Sequence, residues 1–255
     1  MSVGASDDAP GGLITIAGKH VSRLGLGTMR LTGPGVWGWP PDRTTAIRVL
    51  REAVHVHGIT HLDTADAYGP HVAESLIRRA LHPYPPDILV ATKVGMVRPS
   101  RDQWRPLGHP AYLRTAVDAS LRRLGVDRLD LCYLHRVDPT VPLDDQLGEL
   151  LTFRLAGKIG HIGLSKVGVD QIRADEKMIP VAAVQNPLNH TEREDPALDY
   201  CARMDIPYVP YRPLNAGTLP APAALTWLLD LAPHIAPIPG TSSPRHLRAL
   251  VEAVH

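Results

Sequence analysis

The chain reads as an α/β protein, a (β/α)8 TIM barrel preceded by an N-terminal β-hairpin. Three observations predict it. Short β-branched runs alternate with longer helical patterns, which is how parallel strands joined by crossover helices are written. No linker interrupts the alternation across 255 residues. No Gly-x-Gly-x-x-Gly follows an early strand, as the rival open doubly wound sheet would want for a dinucleotide.

In chain order, residues 1–12 (MSVGASDDAPGG) carry no pattern and are expected to be disordered, leaving one barrel domain over 13–255. Leu13 to Ile16, a turn at Gly18 and Val21 make the hairpin. Barrel strands are expected at Leu24 to Leu26, Ile59 to Leu62, Ile88 to Ala91, Leu129 to Leu134, Ile159 to Leu164, Val181 to Val184, Ile206 to Val209 and Ile235 to Ile238. Helical stretches separate them, among them Thr44 to Val56, Pro110 to Leu124 and Pro244 to Val254.

Composition narrows the function classes. A chain that is 44% hydrophobic with a formal charge of +1 is globular and can bury a full core. Near-neutral charge gives no footprint for nucleic acid, and no apolar run reaches membrane length, so neither partner is expected. Cys132 and Cys201 are too few for a disulfide framework and lack metal spacing; His55, His57 and His61 match no metal site either. The start has no basic stretch followed by an apolar one, and a cytoplasmic protein is expected.

A barrel builds its active site at the C-terminal ends of its strands, so polar residues just past strands take a functional reading. Asp63 follows the second expected strand, Lys93 the third, and His135 ends the fourth; Tyr68 lies in a loop closed by Gly69 and Pro70. Each alone has an ordinary explanation as a cap, a solvated cation or a structural imidazole. In order on adjacent strands they suggest carbonyl reduction. Hydride arriving at a carbonyl carbon leaves an alkoxide that must be protonated as it forms. Tyr68 is the candidate acid, its pKa of about 10 expected to be brought down by the Lys93 ammonium. Asp63 would keep Lys93 charged, and His135, as the neutral ring, would orient the substrate oxygen.

The runs HLDTADAYG (His61 to Gly69), ATKVG (Ala91 to Gly95), LCYLHRVDP (Leu131 to Pro139), GHIGLSKV (Gly160 to Val167) and PIPGTSSPRHL (Pro237 to Leu247) resemble those of the aldo-keto reductases, in the family's order. The resemblance runs from about residue 13 onward and implies the same barrel, an extended NADPH bound without a Rossmann fold, and reduction of an aldehyde or ketone. It implies that Ser165 and Gln185 hold the carboxamide, that Pro213 and Leu214 cover the pyrophosphate, and that Gly240, Thr241 and Ser242 receive the adenosine phosphate. Thr28, Met29, Tyr211 and His246 complete the implied cofactor set. Small residues ahead of a helix starting at Pro244 do offer free N–H groups and a positive dipole end, although an ordinary capped helix start looks the same.

The departures from the family pattern are specific. Lys166 stands where asparagine is usual, Leu188 where an aromatic stacks on nicotinamide, and Ala249 and Leu250 where an acid and an amide meet adenine. The segment after Leu214 is short, and the sequence ends at His255 with no trailing segment expected to line a pocket. Lost stacking costs roughly 0.5 to 1.5 kcal/mol and each lost hydrogen bond about as much, so a weakened NADP(H) site, or none, is expected. A fixed Lys166 ammonium would oppose formation of the cationic nicotinamide, unless it swings to solvent.

Lys166 and Arg212 could instead clamp an anionic substrate in a reassigned groove. Trp37, Trp39 and Trp104 lie in Pro- and Gly-rich loops read as pocket walls with Arg136, or else as an interface to a second copy of the chain. Three readings therefore stay open: an NADPH-dependent reductase of small or natural-product carbonyls; a cofactor-independent lyase, isomerase or cyclase reusing the tetrad; and a binding subunit.

Overall fold

The computed structural model describes residues 9–176 and 179–254. In chain order the elements are β1 (Leu13–Ile16), β2 (Lys19–Ser22), β3 (Leu26–Gly27), α1 (Arg43–His55), β4 (His61–Asp63), α2 (Val72–Leu81), β5 (Leu89–Val94), β6 (Met96–Val97), β7 (Arg105–Pro106), α3 (Pro110–Leu124), β8 (Leu129–Leu134), α4 (Leu143–Leu155), β9 (Ile159–Ser165), α5 (Val169–Glu176), β10 (Val181–Gln185), α6 (Pro196–Arg203), α7 (Ala221–Leu231) and α8 (Pro244–Glu252). Helix starts follow from local chemistry. Asp42 accepts from Thr45 N at 2.9 Å to cap α1, Asp195 accepts from Ala197 N at 2.9 Å to cap α6, and Pro110, Pro196 and Pro244 sit where a missing N–H costs nothing.

Six parallel strands pair in the order β10-β9-β8-β5-β4-β3. Two further segments, 206–211 and 235–240, close the ring through single bridges: Val184 to Tyr208, Tyr208 to Ile235, and Gly27 to Gly240. The sequence led us to expect full strands at 206–209 and 235–238, and their prolines explain the difference. Pro207, Pro210, Pro237 and Pro239 have no N–H to give a ladder. Their carbonyls still accept, Pro237 from Gly25 N at 2.9 Å and Pro239 from Gly27 N at 2.9 Å. The (β/α)8 barrel is therefore complete, with six laddered strands and a proline-rich arc.

Side chains alternate along each strand, and this phase decides what reaches the active centre. Leu62, Val90, Val94, Cys132, Leu134, Ile162, Leu164 and Val184 point outward into the core shared with the helices. Leu89, Ala91, Leu131, Tyr133, Ala183, Val209, Ala236 and Ile238 fill the barrel interior. The hairpin β1–β2 adds Ile16 and Val21 to that interior cluster, so it plugs the barrel floor. Tyr133 fills the space beside Gly163, where a Cβ would lie 2.5 Å from its ring.

The N-terminal expectation needs correcting where it can be seen. Gly12 N donates to Ala9 O at 2.8 Å, Leu24 N to Pro10 O at 3.1 Å, and Ala9 and Pro10 are buried, so residues 9–12 are ordered. Residues 1–8 lie outside the described part. No helix among the described residues is long and apolar enough to cross a membrane.

Candidate active site

The inward phase of β4 and β5 carries Asp63 and Lys93 to the barrel mouth, and His135 follows β8 with its N–H bonded to Val94 O at 2.8 Å. Tyr68 comes from the loop that enters α2, where its own carbonyl accepts from Val72 N at 3.0 Å and Ala73 N at 3.2 Å. These anchors bring the four residues together. Lys93 Nζ donates to Asp63 Oδ1 at 2.5 Å, to Thr64 O at 2.8 Å and to Tyr68 Oη at 3.4 Å. The Tyr68 and His135 rings meet edge to face at 5.9 Å. Lys93 is 1% exposed and Asp63 2%.

Electrostatics follow from burial. Removal from water opposes the Lys93 charge, yet Asp63 and Tyr68 outweigh it and hold the ammonium's pKa above its usual value. Burial and the Lys93 and Arg136 cations push His135 well down, so it is the neutral ring, as expected. Tyr68 departs from expectation: burial raises its pKa, and Lys93 only partly offsets this. Its phenol is a protonated donor whose conjugate base is softened, not an unusually acidic group.

Gln185 Nε2 donates to Asp63 Oδ2 at 2.7 Å, tying this carboxamide residue to the tetrad. Arg136 donates to Ser165 Oγ at 3.0 Å and to Tyr211 Oη at 3.4 Å, so three residues of the expected pocket form one cluster. Thr28 Oγ1 donates to Asp63 O at 2.9 Å, and Met29 packs beside Tyr68. Pro213 is buried, Leu214 half-buried, and Arg212 exposed in a left-handed conformation (φ 55°). Gly240 must lack a side chain, because a Cβ would come 2.9 Å from Gly27 O. Thr241 is buried, while Ser242 and His246 are exposed at the start of α8.

Several departures lose their weight once the phase is known. Leu188 is fully buried in the helix–sheet core and cannot be a groove position; the aromatic that follows the inward register, after Val209, is Tyr211. Leu250 is likewise core, leaving Ala249 exposed. Lys166 is exposed at φ 56° and lines an open cleft of about 710 Å³ with Asn186, His190, Glu192 and Asp195.

Of the tryptophans, Trp104 meets Tyr68 edge-on at 6.4 Å, and Trp37 joins it at Arg98. Trp39 instead stacks under Arg43 at 4.4 Å, with Arg79 6.0 Å from its ring, and is not brought to the tetrad. Sequence reasoning missed Arg98, whose partners are backbone carbonyls. It also missed the layer beneath Lys93, where Glu74 accepts from Thr92 Oγ1 and Arg123 Nε at 2.6 Å each. Among the described residues no group of three or more His, Cys, Asp or Glu could hold a metal.

The residues present fit a nicotinamide dinucleotide: a floor of close-packed Gly27 and Gly240, a capped helix start with Thr241 and Ser242, and an inward ring at Tyr211. Residues 23–222 match the model of the Aldo/keto reductase family. The chain is 41% identical to pyridoxine 4-dehydrogenase of Escherichia coli, over 92% of this chain and 90% of that protein. Its fold matches a glycerol dehydrogenase of Gluconobacter oxydans with a TM-score of 0.87 and 26% identity, covering 95% and 90% of the two chains. An aldo/keto reductase of Klebsiella pneumoniae in complex with NADP and acetate matches with a TM-score of 0.77 and 25% identity, covering 92% and 86%.

Proposed function

The chain belongs to the aldo/keto reductase family, and from that membership we propose that it reduces a small aldehyde or ketone to the alcohol with NADPH, Tyr68 giving the proton. The observation that carries this is one buried ammonium, Lys93, bonded at once to Asp63 at 2.5 Å and to Tyr68 at 3.4 Å. When bound, the reduced nicotinamide supplies hydride to the carbonyl carbon. Tyr68 Oη–H donates to the oxygen as charge develops there, and Lys93 stabilises the phenolate left behind. Asp63, itself held by Gln185, keeps Lys93 charged and fixed. The neutral His135 ring has an N–H to donate to the same oxygen, which orients the carbonyl over Tyr68.

Ser165, Gln185 and Arg136 would hold the carboxamide end, Tyr211 the nicotinamide face, and Pro213 with Leu214 the pyrophosphate. Gly240, Thr241, Ser242 and the exposed Arg245 of the first turn of α8 would take the adenosine phosphate, which favours the phosphorylated cofactor. With Ala249 offering no side-chain polar group, adenine contact is weaker by about 1 kcal/mol per missing hydrogen bond. The cofactor-independent lyase, isomerase or cyclase loses its motive. Leu188 and Leu250 belong to the core, so they do not mark a reassigned groove.

The kinship with pyridoxine 4-dehydrogenase makes pyridoxal the first substrate to try. Loss of absorbance at the reduced nicotinamide band should follow mixing with NADPH and pyridoxal or another aldehyde. Tyr68→Phe should lower kcat/KM by roughly 10²- to 10⁴-fold while NADPH still binds, as read from tryptophan fluorescence. Turnover that survives Tyr68→Phe would remove this reading.

A further inference from the structure

Arg98 follows the short strand β6 and is 7% exposed, yet its bonds are all to backbone. Nε donates to Gln103 O at 3.1 Å; Nη1 to Val36 O at 2.9 Å and Ala67 O at 3.5 Å; Nη2 to Gly35 O at 3.1 Å and, in a shorter contact, to Arg101 O. A guanidinium has five N–H donors in a planar fork, and here all five are used. The acceptors belong to three loops: residues 33–38 after β3, the loop that carries Tyr68, and the turn between β6 and β7. The same plane lies 3.7 Å from the Trp104 ring centre and 5.5 Å from that of Trp37. The Trp104 and Tyr68 rings in turn meet edge to face with centres 6.4 Å apart, while 40% of Trp104 remains open to solvent.

Burying a cation among neutral carbonyls is costly, and burial is the leading cause that draws this group's pKa down, with Asp102 opposing. A hydrophobic residue would pack two loops together more cheaply. What only a planar, five-donor group supplies is a fixed relation between three loops and two indole rings. We propose that Arg98 is a positioning residue for substrate selection: it fixes Trp104 beside Tyr68, so that the pocket favours planar aromatic aldehydes over short aliphatic ones. This rests on the reading in which Tyr68 protonates the carbonyl.

The test uses the full chain with Arg98→Lys, which keeps the charge but offers three donors and no plane, and Arg98→Met as a second variant. KM and kcat are measured with NADPH for 4-nitrobenzaldehyde and for propanal, and acrylamide quenching of tryptophan is measured without substrate. Arg98→Lys should raise KM for 4-nitrobenzaldehyde by about 10-fold, leave kcat for propanal within about twofold, and increase quenching. An equal loss for both aldehydes overturns the proposal, since a general loss of structure would produce it. Unchanged quenching overturns it as well. If the wild-type chain oxidises NADPH with neither aldehyde, the reductase reading has failed in a control that contains no Arg98 substitution, and quenching alone decides whether the ring is held.

Discussion

Two halves of the barrel do different work. β4, β5 and β8, which carry Asp63 and Lys93 and lead into His135, pair through continuous ladders, Ala91 with Leu131 through Val94 with Leu134. The arc of 206–211 and 235–240, which carries Tyr211 and Gly240, joins the ring by single bridges among prolines. A proton relay needs atoms fixed to a few tenths of an ångström, and a ladder fixes them. Under the proposed function the arc needs only to present carbonyls, a bare glycine floor and a helix start to a long ligand. Proline takes nothing from that task except the N–H groups that would stiffen it.

The largest effect that would break this contrast is at Lys93. Lys93→Met removes the partner that neutralises a buried Asp63, leaving Gln185 as its side-chain donor. Stripping one member from a buried pair destabilises by roughly 3 to 5 kcal/mol. We expect an unfolding free energy from urea titration lower by that amount, with a correspondingly lower midpoint, and turnover lost together with it, since Tyr68 loses its stabilising cation. An Asp63→Asn, Lys93→Met double variant should recover part of the stability and none of the turnover. If Lys93→Met unfolds at the wild-type midpoint, the rigid half is not built around this pair.

A second test asks whether the laddered half carries its own weakness. His61 lies inside β4, two residues before Asp63; it is fully buried, and neither ring nitrogen has a partner. Burial draws its pKa down to about 4 from 6.5. A histidine whose folded pKa is depressed binds fewer protons in the native state. Its contribution is therefore intact above pH 6.5 and lost as pH falls from 6.5 toward 4. The shift corresponds to roughly 3 kcal/mol for a fully buried group. Unfolding free energy measured across that window should fall less steeply in His61→Asn than in the wild type, and parallel curves would refute the assignment.

These contrasts were partly legible in the sequence. The tetrad was visible because Asp63, Lys93 and His135 each lie at or just past the end of an apolar strand run, whose phase carries them inward, while Tyr68 stands in the loop five residues after Asp63. The same phase, applied one element further, would have placed Leu188 outward and Tyr211 inward. A family motif gives spacing without facing, so Leu188 was misread as the stacking position, although Tyr211 already stood in the expected cofactor set. The prolines at 207, 210, 237 and 239 were in plain view, but only hydrogen-bond counting turns them into an arc of bridges. The direction of the Tyr68 shift required knowing that burial exceeds the pull of one cation. Arg98 left no trace in sequence, because its five acceptors are main-chain atoms that any residues at those positions would supply.

The smallest and most direct test of the comparison reads the two halves in one experiment. Native-state hydrogen exchange should show the amides of β5 and β8 opening only with global unfolding, because ladders on both sides protect them. Tyr208, Val209 and Ala236 donate to His234 O, Val184 O and Tyr208 O at 2.8 to 2.9 Å, but proline neighbours interrupt the run on either side. Those amides should exchange about tenfold faster, an opening energy lower by roughly 1.4 kcal/mol. Saturating NADPH raises the global unfolding free energy and should therefore slow β5 and β8; the arc amides should slow as well if, as proposed, Tyr211 and the start of α8 hold the cofactor. Equal protection in both halves without cofactor would mean that the prolines cost the barrel nothing, and that the division of labour lies in the side chains alone.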